Sequence, residues 1–149
     1  RLLAHRAIRL VIDHLPRLVD DLTDMAAREA LSEASVLAGM AMSETQTALA
    51  HALSYDLTLH EGMSHGSAVA VWLPYVAELS CAASPAIRAQ LQESLQTEQE
   101  PADFLIHWLA QFAIVPRTLA QSPTGTATLA KALANARGRN QVFGAVHAA

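Results

Sequence analysis

Apolar positions along the chain recur at helical spacing. Over residues 2–14, Leu3, Ala7, Leu10 and Val11 stand at i, i+4, i+7 and i+8, one face of an amphipathic helix. Pro16 interrupts the pattern. Proline is tolerated in a first turn, so Leu15 to Leu22 reads as a short second helix. Asp24 is an N-cap residue before a long pattern from Met25 to Ser43, with Ala27, Leu31, Ala34, Leu37, Ala38 and Ala41 on its inner face. Small residues at Ala34, Ala38, Gly39 and Ala41 allow another helix to approach closely. A further helical stretch covers Thr47 to Tyr55. Periodicity then lapses over Asp56 to Ser64, which contains Gly62 and reads as a loop. Ser64 caps a helix that starts at His65 and runs through Val69, Val71, Trp72 and Leu73, with a kink expected at Pro74. Ser84-Pro85 pairs a cap with proline at the first helical position and predicts a helix to Leu95. Asp103 to Ala113 and Thr126 to Ala136 complete the series, with Gly138 ending the last helix. Val142 to Val146 resembles a strand but is short. The predicted class is all-α, a bundle-like domain of seven or eight helices.

Composition agrees. Thirty Ala and 21 Leu, against six Gly, six Pro and 5% aromatic residues, favour packed helices over sheets or disorder. A length of 149 residues is enough for one domain with its own core. The net charge of −4, with Lys and Arg scattered, argues against nucleic-acid partners. The single cysteine, Cys81, excludes a disulfide framework and a cysteine-based zinc site, and reads as a small buried residue. The longest nearly apolar run, Ala68 to Tyr75, is far short of a membrane span, so no membrane partner is expected. Met25, Met40 and Met42 read as core residues, and Trp72 and Trp108 as packing anchors.

The seven histidines carry the chemical hint. His5, His14, His107 and His147 are isolated and read as surface or half-buried residues. His51, His60 and His65 lie across a helix, a loop and the next helix start. A loop that reverses the chain there can bring His51 and His65 to one point, and neutral imidazole suits Zn²⁺ or Fe²⁺. From spacing alone, a metal site and a set of polar loop residues both remain open.

The flanking residues add a resemblance. Leu37-Ala38-Gly39-Met40-Ala41-Met42-Ser43, then His51-Ala52-Leu53-Ser54-Tyr55, then His65-Gly66 and Leu73-Pro74, resemble the "LAGMAFS", "HALAH", "PHG" and "LLP" motifs of the iron-containing alcohol dehydrogenases. In that family the first His of "HALAH" and the His of "PHG" are metal ligands fourteen residues apart, the separation of His51 and His65 here. The resemblance implies that these two hold Fe²⁺ or Zn²⁺. It implies two further ligands, an Asp and a His one helical turn apart, on sequence before Arg1. It also implies an α/β dinucleotide-binding domain, which these residues lack: the six glycines are dispersed and form no phosphate-binding loop. On this reading residues 1–149 are a single helical metal-binding domain, a fragment of a two-domain, NAD(P)-dependent enzyme and inactive alone. Its partners would be a small alcohol or aldehyde, the N-terminal domain and a second copy in a homo-oligomer, in the cytoplasm.

Several positions depart from the motifs. Tyr55 replaces the second His of "HALAH", and Asp56 the Pro that follows. Tyr55 lies one helical turn after His51 and is a candidate hydrogen-bond donor or proton relay; His60 is a candidate pocket or relay residue. Residues 43–60 are similar to a branch that includes phosphonoacetaldehyde reductases, with "TRTALAH" and "SYPLT". Gln46 stands where that branch has Arg. Gln offers no charged bidentate contact to an anion, which weighs against phosphonate recognition. Glu44 and Gln46 read as solvated helix residues or as groups facing cofactor or substrate. Two rival readings are a self-standing helical interaction module, and the helical domain of a glycerol dehydrogenase or dehydroquinate-synthase-like enzyme.

Overall fold

A computed structural model describes residues 1–43, 49–119, 127, 129 and 130. Six helices form among them: α1 (Leu2–Asp20), α2 (Met25–Ser43), α3 (Leu49–His60), α4 (His65–Ala83), α5 (Pro85–Leu95) and α6 (Pro101–Ala110). No strand occurs among the described residues, and the class is all-α. The count is below the expected seven or eight because Pro16 does not divide the first helix. Proline removes one backbone donor, yet α1 continues to Asp20 while burying Ala7 and Leu10. Packing of that face against α2 outweighs the local loss. Ala127, Leu129 and Ala130 are helical; the remainder of the expected last helix, and the strand-like stretch 142–146, lie outside the described residues.

Polar side chains build the connection between α1 and α2. Asp21 accepts from the Thr23 N–H at 2.8 Å, and Asp24 accepts from the Ala27 N–H at 2.9 Å, capping α2 as expected. Asp24 also pairs with Arg17 at 2.7 Å, and Arg6 with Glu33 at 3.2 Å. The second pair nests outside the first, as in an antiparallel hairpin. Ala27 and Ala34 are buried on the inner face of α2. Met25, Met40 and Met42 are not core: they are 63, 52 and 48% exposed. Met25 and Met40 fall outside the α2 stripe, and Met42 falls past its end.

α3 and α4 form the main core. Leu49, Ala50, Leu53 and Leu57 pack on Ala68, Val71 and Trp72. The Leu49, Leu53, Leu57 series continues the inner face beyond Tyr55. For this reason α3 extends to His60 through residues that read as loop. Ser64 caps α4 through the Ser67 N–H, and Ser84 caps α5 through the Ile87 N–H; Pro85 opens α5. α4 passes through Pro74 unbroken. At 19 residues, α4 is long and apolar enough by length and composition to cross a membrane, beyond what the Ala68–Tyr75 run suggested. In this fold it buries Ala68, Val71, Trp72, Pro74, Ala77 and Cys81 inside the protein. α5 touches α1, α4 and α6, and joins the α1–α2 hairpin to the rest among the described residues. α6 starts at Pro101, two residues earlier than predicted, and ends at Ala110. The segment 114–119 then folds back, with Ile114 and Leu119 against the α3–α4 core.

Candidate metal centre

His51 lies nine residues before the end of α3, not near that end as the shorter predicted helix implied, and His65 opens α4. The interval from His51 to the end of α3 is nine residues, a rise of about 13 Å. The connection must recover that distance for the two rings to meet. It turns at Gly62, whose φ of 67° is left-handed, and it doubles back: the Glu61 and Met63 N–H groups both donate to the Leu57 carbonyl at 3.2 Å. α4 therefore starts alongside the middle of α3. The His51 and His65 ring centroids stand 5.2 Å apart at 66°.

That spacing suits a shared ion. With metal–nitrogen bonds of roughly 2.0–2.1 Å, two imidazoles on one tetrahedral ion have centroids about 5 Å apart. Two donors are half a set, and among the described residues no group of three His, Cys, Asp or Glu converges. Tyr55 shares the α3 face of His51, and its ring stacks on His65 with centroids 6.3 Å apart at 30°. At 57% exposure, Tyr55 is a surface residue and not part of the core. Burial pushes the His51 pKa below the usual imidazole value, and the neighbouring His65 charge adds to the effect. His51 is therefore held as the neutral ring, the form that donates a lone pair.

His60 is not gathered into this group. Nine positions after His51 it faces the other side of α3, exposed, with its Nε2 at 3.9 Å from Asp56 on the same helix. Glu44 and Gln46 lie outside the described residues. The other described histidines make separate local contacts: His5 with Ser94 at 3.2 Å, His14 with Arg17 at 3.4 Å, His107 with the Asp103 carbonyl at 2.7 Å. Cys81 is buried, and burial pushes its thiol pKa up, as fits an inert core residue.

One feature was invisible to sequence reading. Arg117 makes a two-pronged ion pair with Glu61, at 2.6 and 2.7 Å, and its backbone N–H donates to the Val71 carbonyl at 3.2 Å. Its partners are 56 and 46 positions away, so no local pattern announces them.

Residues 1–115 match the model of the Fe-containing alcohol dehydrogenase family, C-terminal part. The chain belongs to this family. It is 33% identical over 116 residues to the 1,3-propanediol dehydrogenase of Citrobacter freundii, covering 74% of this chain and 30% of that protein. The phosphonoacetaldehyde reductase of Streptomyces viridochromogenes is 43% identical over 67 residues, 45% of this chain and 17% of the relative. The NADPH-dependent butanol dehydrogenase of Clostridium saccharobutylicum is 31% identical over 109 residues, covering 70 and 28%. The chain thus spans less than a third of the length of these relatives. No solved structure gives a significant match.

Proposed function

We propose that this chain is the helical, metal-ligating part of an NAD(P)-dependent alcohol dehydrogenase or aldehyde reductase, with His51 and His65 as two ligands of Fe²⁺ or Zn²⁺. The juxtaposition of the two imidazoles at 5.2 Å carries the reading, because it unites residues fourteen apart in a spacing that one ion can share. The printed names of the relatives, dehydrogenases of alcohols and a diol, support this class over a glycerol dehydrogenase, a dehydroquinate-synthase-like enzyme or a binding module. The remaining ligands and the dinucleotide domain belong, on this proposal, to the part of the parent enzyme that its relatives have and this chain does not span. A cytoplasmic setting is part of the same proposal.

When bound, the metal supplies Lewis-acid polarisation of an alcohol or aldehyde oxygen, and the nicotinamide carries the hydride. The residues here have simpler tasks. His51, kept neutral by burial, and His65 each offer a ring nitrogen. Tyr55 stacks on the His65 ring, and on this proposal its hydroxyl donates a hydrogen bond to a substrate oxygen. His60 stands apart and has no part in this scheme.

Zn²⁺ titrated calorimetrically into the 149-residue chain tests the ligand assignment. Two imidazoles give weak binding, and His51→Ala and His65→Ala each abolish most of it. Zinc affinity unchanged in either variant overturns the assignment of that residue.

A further inference from the structure

The His51–His65 spacing depends on how the four-residue connection 61–64 is held, and one residue outside it, through its side chain and its backbone, bridges that connection. Glu61 lies four residues before His65, and its backbone is tied to α3 through the Leu57 carbonyl. Val71 lies six residues after His65, in the body of α4. Arg117 holds both: its guanidinium grips the Glu61 carboxylate with two bonds, and its N–H reaches the Val71 carbonyl. The strap that carries Arg117 is itself anchored, since Ile114 and Leu119 pack on the α3–α4 core. The result is a closed circuit from α3 through Glu61 and Arg117 to α4, with His65 inside it. A two-pronged guanidinium–carboxylate pair fixes orientation as well as distance, which a single ion pair does not. Among the described residues, other ion pairs such as Arg88–Glu100 at 2.7 Å lie away from His51 and His65.

We propose that Arg117 is a positioning residue for the His51–His65 pair, clamping the turn before His65 and the helix after it so that the two rings stay in register. The inference rests on reading those rings as metal ligands. Arg117 lies two positions past residues 1–115, the stretch that matches the family model, while its partner Glu61 lies inside it.

The test uses the 149-residue chain and two readouts: Zn²⁺ affinity by calorimetry, and the nuclear Overhauser effect between the His51 and His65 ring protons without metal. Arg117→Met weakens zinc binding about five-fold, the upper end for one partly exposed ion pair, and diminishes the ring-to-ring signal. Arg117→Lys recovers part of both, because it keeps the charge without the fork. Glu61→Gln leaves the Arg117 backbone bond in place and reproduces the loss if Arg117→Met folds poorly. Arg88→Met, which breaks a comparable exposed pair elsewhere, changes neither readout. Parent-like zinc affinity and ring signal in Arg117→Met, or an equal loss in Arg88→Met, overturns the clamp. Zinc affinity indifferent to His51→Ala instead refutes the ligand reading, and the metal-free ring signal then decides the clamp alone.

Discussion

His51 shows how a single side chain carries both a structural and a chemical signal. Its pKa is lowered first by burial and second by His65. Proton NMR titration should place its midpoint below the ordinary imidazole value, and His65→Ala should raise it only partway, because the larger cause remains. The sign of the stability effect follows. With the folded-state pKa below the unfolded one, the unfolded chain binds the proton first, so this contribution is intact above the ordinary value near 6.5 and declines as pH falls through it. Denaturant unfolding at neutral and mildly acidic pH should show that decline, and His51→Ala should remove its share. The fourteen-residue separation and the flanking motifs made the His51–His65 pair legible before any coordinates. Tyr55 was legible by its i+4 offset from His51. His60 was not: it sits close in sequence, but the extra helical turns of α3 rotate it to the opposite face.

Helix starts were read well and helix ends less so. Asp24, Ser64 and the Ser84-Pro85 pair all stand where a start was expected, because a cap is a local bond between a side chain and an N–H three residues on. Ser84 also ends α4, its N–H donating to the Ser80 carbonyl, so two helices meet at one residue. Ser84→Ala should lower unfolding free energy by about 1 kcal/mol, read from chemical denaturation, while Ser84→Asp should keep most of the cap. Pro16 was the misleading signal: it sits inside a continuous helix, as does Pro74, where the helix was expected to bend and not to end. Each lies in an element with a buried face, and tertiary packing there exceeds the loss of one backbone bond. The same reason extended α3: Leu57 repeats the Leu49–Leu53 spacing, and its burial overrides the polar residues around it.

At the scale of the molecule, Trp72 is the keystone. It is 2% exposed, touches the Tyr75 ring edge-on at 6.2 Å, and belongs to the cluster that joins α3 to α4. Trp72→Ala should cost about 3–5 kcal/mol, and thermal unfolding should report it. The ring-to-ring signal between His51 and His65 should weaken in parallel, since the same packing sets the angle between their helices. The helical class, the capped helix starts and the choice of His51 and His65 as candidate ligands were legible in the sequence alone, because caps and apolar periodicity act over three to eight residues and a motif is a string. The tertiary structure decided what no string records. The connection doubles back at Gly62, the methionines of α2 face outward, α5 bridges to the first hairpin, and Arg117 closes on Glu61. Each of these depends on which faces meet across distant parts of the chain, and that competition among packings is resolved only when the whole core is assembled.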